Sequence, residues 1–275
     1  MDDQIQTSLS RESSRSINLK GDTDSSSSFE SSSSIGNGSF ETADFREWNT
    51  IGDTSIETDD LGIFPTDGTY QALITNGFSD AGGSVVDSDL EEFLDLAPGS
   101  LDGLVGGDAT EGSVIKQEFT VEAGDIVSFD WNFLTNEATP DFTFNDTAFL
   151  SVSGFTFELA DTGANFVDAS GVDQFNEQTG AQTLTFSINA AGTYTIGFGV
   201  VDVGDEIVDS GLAIDNVAIQ PSSSGNISDA TAATTTSSPS VDLILGEGGF
   251  TSANSDSIND SASGLVFGEN GFEVV

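Results

Sequence analysis

Apolar and polar residues alternate along much of the chain between Gly36 and Gln220. In Thr183–Ile188 every second residue is apolar, which predicts a strand with one buried face and one face in water. Similar short runs are separated by Gly, Asp and Asn, which favour turns. The pattern predicts strands at Tyr70–Thr75, Val114–Val121, Ile126–Leu134, Ala148–Leu159, Thr183–Ile188, Thr193–Val201 and Gly211–Ile219.

The connection between two of these runs predicts a hairpin. Ala190-Ala191-Gly192 forms a compact turn between Thr183–Ile188 and Tyr194–Phe198, and a Gly-containing turn between two strand-like runs favours antiparallel pairing. Many short strands with frequent turn residues predict a single β-sandwich.

One segment departs from the β pattern. Leu90, Phe93 and Leu94 have the i, i+3, i+4 spacing of a helix face, acidic residues precede them, and Pro98-Gly99 follows. Acids in the first turn and Pro-Gly after the last turn are helix boundary signals. We therefore expect one short helix, roughly Asp89–Leu96, lying across one end or one face of the sandwich.

Composition divides the chain into four segments. Residues 1–35 form a Ser-rich N-terminal arm, residues 36–220 the sandwich, residues 221–240 a Ser/Thr-rich linker, and residues 241–275 a two-copy repeat. The Ser-rich segments have too few apolar residues to offset the entropy of ordering them.

The repeat is visible as Leu243–Phe250, which matches Leu265–Phe272. Each copy is an apolar β-like run followed by a Gly-rich turn, and it is too short to fold alone. Three interpretations stay open: packing on the chain's own sandwich, recognition by a secretion apparatus, or insertion into the sheet edge of a neighbouring subunit. The apolar residues that would mediate assembly are Leu243, Ile244, Leu245, Phe250, Leu265, Val266, Phe267 and Phe272.

The charge balance excludes several classes of function. The 275 residues include 47 Asp and Glu, 5 Lys and Arg, no His and no Cys, which gives a net charge of -42. Disulfides, thiolate nucleophiles, imidazole bases and His- or Cys-ligated metals are therefore excluded. Nucleic acid is not an expected partner, because phosphate binding needs clustered basic residues. No apolar run is long enough for membrane insertion.

An acidic surface of this kind attracts hard cations such as Ca²⁺. The alternative is that the acidic residues only keep the protein soluble.

Several stretches resemble known jelly-roll domains. Asn37-Gly38-Ser39-Phe40-Glu41 and Ala213-Ile214-Asp215-Asn216-Val217 resemble the first and last strands of carbohydrate-binding-module-type jelly rolls. Leu90–Leu101, Phe129–Glu137 and Phe198–Asp205 resemble a jelly-roll module that recurs in exported and surface proteins of cyanobacteria and other bacteria. The resemblance covers about residues 36–220 and implies an all-β jelly-roll sandwich with one short helix, flanked by flexible arms.

In the carbohydrate-binding relatives, a structural calcium ion joins the first and last strands. The resemblance implies Glu41 and Asp215 as side-chain ligands, with backbone oxygens near Asn37 and Gly38. The alternative is that Glu41 is merely exposed and that Asp215 caps a turn.

A second set of oxygen donors follows the Trp131 strand. These residues have irregular spacing that matches no EF-hand, and in so acidic a chain such clusters arise by chance. The set is Glu137, Asp141, Asn145 and Asp146. A similar group is expected to form a solvated loop, and it comprises Asp202, Asp205, Glu206 and Asp209.

The aromatic residues raise the question of a sugar-stacking platform. Phe129, Trp131 and Phe133 alternate and so share one face, as core residues do. We expect these three, together with Phe40 and Trp48, to form the core.

These patterns predict a non-catalytic protein, because nothing singles out a catalytic carboxylate pair among so many acids. The first hypothesis is an extracellular structural or surface-matrix protein, stabilised by Ca²⁺, that self-assembles by strand complementation into a homo-oligomer or filament. The alternative is a module that binds extracellular or cell-wall polysaccharide. Met1–Lys20 lacks the apolar core of a Sec signal peptide, so we expect type I-like export, with a cytosolic location also open.

Overall fold

In the computed structural model, the alternating segments form two β-sheets. Residues 33–77, 83–169, 171–172, 174–204, 206–222, 242–246, 249–252, 265–268 and 271–274 are described. The first sheet has the order β1-β5-β12-β7-β8, with β4 paired to β5, and every pairing in it is antiparallel. Its strands are β1 Asn49–Ile51, β4 Val85–Val86, β5 Ala109–Val121, β7 Thr147–Val152, β8 Phe155–Asp161 and β12 Gly192–Val203.

The second sheet has the order β15-β14-β11-β6-β13-β3-β2, with the short strands β9 and β10 attached beside β6. Its strands are β2 Asp53–Glu57, β3 Gln71–Thr75, β6 Asp125–Thr135, β9 Val167–Asp168, β10 Glu177–Gln178, β11 Gln182–Ile188, β13 Ser210–Gln220, β14 Asp242–Gly246 and β15 Gly249–Ser252. Two further strands, β16 Leu265–Gly268 and β17 Gly271–Val274, pair only with each other among the described strands. The predicted all-β jelly-roll sandwich is confirmed.

The core lies between the two sheets. The Phe129 ring from the second sheet meets the Phe198 ring from the first in an edge contact with 4.7 Å between centroids. Phe40, Trp48 and Phe133 are buried in the same core, and Trp131 is partly buried against it. Each fully buried Phe contributes about 1.5–3 kcal/mol of hydrophobic free energy. The core interpretation of these aromatics is therefore right.

Two short helices cover the outer face of the first sheet. α1 spans Asp87–Phe93, and α2, which the sequence analysis did not predict, spans Ser100–Val105. Leu90 and Leu101 pack there against sheet residues. The Glu91 carboxylate accepts hydrogen bonds from the backbone N–H groups of Gly99 and Leu101, at 2.9 Å each, which ties α1 to the start of α2.

Two sequence predictions about strand connections are wrong. The predicted strand Ala148–Leu159 is a hairpin of β7 and β8, because Ser153 and Gly154 both have positive φ angles and form a tight turn, as two-residue hairpin turns require. The predicted hairpin around Ala190–Gly192 instead crosses between the sheets, since β11 pairs with β6 and β12 pairs with β5 and β7.

The first and last parts of the sandwich are joined directly. The segment after Gly36 is a run of turns rather than a strand. The Gly38 carbonyl accepts a hydrogen bond of 2.9 Å from the Val217 N–H. A Cβ atom on Gly38 would lie 1.9 Å from the Val217 oxygen, so only glycine permits this approach.

Candidate functional site

A small, shallow groove lies on the outer face of the second sheet. Its floor comes from β6 and β13, and one wall comes from the segment that precedes β3. The lining residues with functional side chains are Phe64, Thr66, Gln71, Asp130, Asn132 and Asp215.

Strand alternation positions the floor of the groove. Phe129 and Phe133 of β6 belong to the core between the sheets, so Asp130 and Asn132 project from the opposite face. Loops cover much of that face around a small apolar cluster that includes Ile63, Leu134 and Ala213. The groove lies beside this cluster.

Phe64 is the aromatic residue of the wall. It is 79% exposed, whereas its neighbour Ile63 is only 7% exposed and packs in the small cluster. Pro65 follows, and a residue before proline is restricted to an extended backbone, in which successive side chains point to opposite sides. Burial of Ile63 therefore places Phe64 in solvent.

The polar groups of the groove keep hydrogen-bonding capacity. Asp130 accepts from the Thr183 hydroxyl at 2.5 Å and from the Asn216 side-chain amide at 3.0 Å, which uses two of the roughly four lone pairs of a carboxylate. The Gln71 amide nitrogen donates to the Ile63 carbonyl at 3.1 Å, which leaves its side-chain oxygen as an acceptor. The groove thus places two largely buried oxygen acceptors, Asp130 at 9% and Gln71 at 3% exposure, beside an exposed ring.

Asp215 and Glu41, the predicted calcium ligands, both bind the loop Thr66–Tyr70. Asp215 Oδ2 accepts from the backbone N–H groups of Thr66 at 2.7 Å and Asp67 at 2.8 Å. Glu41 Oε1 accepts from those of Thr69 at 2.7 Å and Tyr70 at 2.8 Å. Burial raises the pKa of Asp215, although its hydrogen bonds to the Asp67, Asn216 and Thr66 amides act in the opposite direction.

In this arrangement the predicted calcium ligands mainly accept hydrogen bonds from the chain itself. Asp215 Oδ2 also accepts from the Thr66 hydroxyl, and Oδ1 accepts from the Asn216 N–H, so three donors engage Oδ2 and one engages Oδ1. The Asn37 carbonyl accepts from the Phe40 N–H and the Trp48 indole, while the Gly38 carbonyl binds β13. Among the described residues, no group of three or more acidic side chains is placed to hold a metal ion. Calcium binding here stays a prediction.

The second predicted set does not converge on one point. The Asn145 side chain binds Asp161 and Thr162. Asp141 accepts from the backbone N–H groups of Thr143 at 2.7 Å and Phe144 at 3.1 Å, which lowers its pKa.

Glu137 and Asp146 are the buried members of that set. Asp146 Oδ2 accepts from the Ser210 hydroxyl at 2.7 Å and from the Asn76 side chain at 3.0 Å. Asp146 therefore belongs to a different constellation at the β7, β12 and β13 end of the sandwich.

That constellation is a buried carboxylate pair, Asp146 and Asp202. Asn76 donates to both carboxylates. Burial raises the pKa of Asp202, and the adjacent Asp146 charge raises it further. Burial also raises the pKa of Asp146, although its hydrogen bonds oppose this effect. Two buried like charges in contact are unfavourable, so this environment favours retention of a proton by the pair.

The prediction that Asp202 lies in a solvated loop is therefore wrong. Asp202 is 3% exposed rather than part of a solvated loop, because β12 continues through it to Val203. Glu206 is exposed and Asp209 is half-buried, while Asp205 lies outside the described residues.

The predicted assembly residues lie on short strands at the edge of the second sheet and on the separate hairpin. Leu243, Ile244 and Leu245 are in β14, and Phe250 is in β15. The second copy comprises Leu265, Val266 and Phe267 in β16 and Phe272 in β17. β14 pairs in parallel with β11, whereas every other pairing of described strands is antiparallel.

Most residues of the groove carry no clear signal in the sequence. Phe64, Gln71, Asp130 and Asn132 were not predicted as site residues. A signal existed for Phe64, because it stands directly before the turn-forming run Pro65–Gly68, where a large apolar side chain has no strand or helix to bury it.

Comparisons with known proteins find likeness only among solved structures. No protein family matches the chain, and no curated protein matches it. The carbohydrate-binding module TmCBM61, solved with β-1,4-galactotriose, is 15% identical with a TM-score of 0.39, over 68% of this chain and 97% of that one. The module TmCBM27, described as recognising mannan, is 13% identical with a TM-score of 0.35, over 68% and 94%. Carbohydrate-binding modules are thus among the matches, as the sequence resemblance predicts.

A third match is the enzymatically active domain of tailspike protein 4 from bacteriophage CBA120. It is 14% identical with a TM-score of 0.34, over 67% of this chain but only 21% of that one. Likenesses at this level do not identify a function. Separately, none of the helices in the described part of the chain is long and apolar enough to cross a membrane.

Proposed function

We propose that the chain is a non-catalytic module that binds polysaccharide in the groove beside Phe64. The observation that supports this proposal is an aromatic ring, 79% exposed, next to a concave polar surface on a rigid sheet. An exposed large aromatic beside convergent polar groups is a typical sign of a binding site.

The groove offers two kinds of contact to a sugar. The apolar face of a pyranose ring packs on the Phe64 ring, and sugar hydroxyls donate to the Asp130 carboxylate and the Gln71 side-chain oxygen. Both acceptors stand on strands, so their positions are fixed before the ligand arrives, which lowers the entropy cost of binding.

Charge favours neutral polysaccharides over acidic ones. The groove is lined by Asp130 and Asp215, and the chain carries a net charge of -42. Uronate or sulfate groups are repelled by such a surface, whereas neutral hydroxyl groups donate to its carboxylates.

The buried carboxylate pair does not provide glycosidase chemistry. A glycosidase needs two carboxyl groups on either side of the scissile bond, at least about 5 Å apart. Asp146 and Asp202 are buried and joined by a hydrogen bond, which leaves no room for a sugar between them. This geometry supports a role without catalysis.

The proposal is tested by replacing the exposed ring. We expect Phe64→Ala to reduce binding to neutral β-linked glucans, mannans or galactans by about fivefold or more, since an aromatic stacking contact contributes about 1 kcal/mol or more. Retention in affinity gels and calorimetric titration would measure the loss. Phe142→Ala is the matched control, because Phe142 is 78% exposed but does not line the groove.

Two results would contradict the proposal. Wild-type protein that binds none of these polymers would remove it, and so would equal binding by the Phe64→Ala and wild-type proteins. Equal losses in the two Phe variants would point to nonspecific adsorption through exposed aromatic rings.

A second candidate function is a self-assembling structural protein outside the cell. It is favoured by β14, which adds to the edge of β11 through the register Phe186 with Leu243 and Ile188 with Leu245. The edge of β11 therefore accepts this repeat strand by backbone pairing, and a free sheet edge accepts an equivalent strand from another chain in the same way. The second repeat copy, β16, supplies such a strand.

Truncation tests this candidate. A chain that ends at residue 240 should remain monomeric at concentrations where the full chain forms oligomers, as measured by light scattering and electron microscopy. The screening provided by salt should promote assembly of the full chain, because its net charge opposes association. Oligomers that persist in the truncated chain, or a full chain that stays monomeric at high salt, would contradict the candidate.

A further inference from the structure

The loop Thr66–Tyr70 is held at both ends by carboxylates from distant parts of the chain. Asp215 of β13 binds the N–H groups of Thr66 and Asp67, and Glu41 of the first turn segment binds those of Thr69 and Tyr70. These four bonds are 2.7–2.8 Å long, as expected of charge-assisted hydrogen bonds.

Gly68, between the two pairs of amides, makes the arrangement possible. Its φ angle is +71°, and a Cβ atom there would lie 2.3 Å from Glu41 Oε1. A side chain at position 68 would displace the Glu41 carboxylate, and most residues also avoid this backbone conformation. The loop is therefore shaped to receive Glu41.

The same loop separates two lining residues of the groove. Phe64 precedes it by two positions and Gln71 follows it directly. Thr66 lines the groove itself. Movement of this loop would change the distance between the aromatic ring and the acceptor on β3.

We propose that Glu41 and Asp215 are positioning residues that clamp the loop and so hold Phe64 and Gln71 in register for a polysaccharide. This inference rests on the first proposed function. The clamp needs no metal ion, which distinguishes it from the calcium site that the sequence resemblance implies for the same residues.

The Glu41→Gln variant distinguishes a hydrogen-bonding role of Glu41 from a role as a metal ligand. Glutamine keeps a side-chain oxygen that accepts N–H bonds, but it lacks the charge that a Ca²⁺ ligand supplies. Glu41→Ala removes the acceptor altogether. Glu118→Ala is the control for lost charge, because Glu118 is exposed on β5 of the other sheet.

The experiment measures amide hydrogen exchange and glycan retention on the full chain in the presence of a chelator. We expect Glu41→Ala to accelerate exchange at Thr69 and Tyr70 by about tenfold or more and to weaken retention. We expect Glu41→Gln, whose neutral oxygen accepts weaker hydrogen bonds than a carboxylate, to lie between wild type and Glu41→Ala in both measurements, and Glu118→Ala to change neither.

Each other outcome overturns a stated part of the inference. Unchanged exchange in Glu41→Ala removes the clamp, whether or not the protein binds glycans. Faster exchange with unchanged retention removes the positioning role while leaving the proposed function intact. If Glu41→Gln behaves like Glu41→Ala, and Ca²⁺ slows exchange only in the wild type, the residues are metal ligands instead.

Discussion

The buried pair Asp146 and Asp202 makes stability depend on pH. Both pKa values are raised in the folded chain, mainly by burial, whereas the unfolded chain has ordinary aspartates with a pKa of about 3.9. The folded state therefore keeps a proton that the unfolded state releases as the pH rises above about 4. Its stability falls by about 1.4 kcal/mol per pH unit for each retained proton, and the loss ends where the folded pair also ionises.

The Asp202→Asn substitution tests this effect. An Asn side chain donates a hydrogen bond to Asp146 without a titratable proton, so we expect a higher melting temperature at pH 8 and a flatter pH profile than in wild type. Thermal unfolding from pH 4 to pH 8 measures both. Glu206→Gln, an exposed change of equal charge in the neighbouring loop, should keep the wild-type slope. Parallel wild-type and Asp202→Asn profiles would show that the pair does not share a proton.

At the scale of elements, alternation predicts which face of a strand is buried but not which strand lies beside it. The strand around Thr183–Ile188 was predicted within one residue of β11, because its period of two is a local property. Its assignment to a hairpin with β12 was wrong, since a short turn such as Ala190–Gly192 serves equally to return within a sheet or to cross between sheets. The helix α2 was not predicted. The N–H groups at its start bind the Glu91 carboxylate of α1, and such a contact between two elements is not visible in the local sequence pattern.

The residues of the groove were even harder to predict from local sequence patterns. Its residues come from the loop before β3 and from β6 and β13, which are distant in sequence. The resemblance singled out Asp215, but as a calcium ligand. It did not predict that the partners of Asp215 are the amides of Thr66 and Asp67, because backbone N–H groups leave no trace in residue identity.

The net charge of the whole molecule complicates any test for calcium. With 47 acidic and 5 basic residues, self-repulsion opposes the compact state, and any divalent cation relieves it by screening. A rise in melting temperature with Ca²⁺ alone would therefore not identify a site.

The useful comparison is between Ca²⁺ and Mg²⁺ at equal concentration. Because three hydrogen-bond donors already engage Asp215 Oδ2 and two engage Glu41 Oε1, we expect the two cations to raise the melting temperature equally, with the fold retained in a chelator. A specific site would instead add RT ln(1 + [L]/Kd) of stability for Ca²⁺ only, and the larger, less rigid Ca²⁺ shell accepts protein oxygens that Mg²⁺ does not. An excess for Ca²⁺ that disappears in Glu41→Gln would place the ion at the junction of the first and last segments, and the metal-free clamp would have to be abandoned.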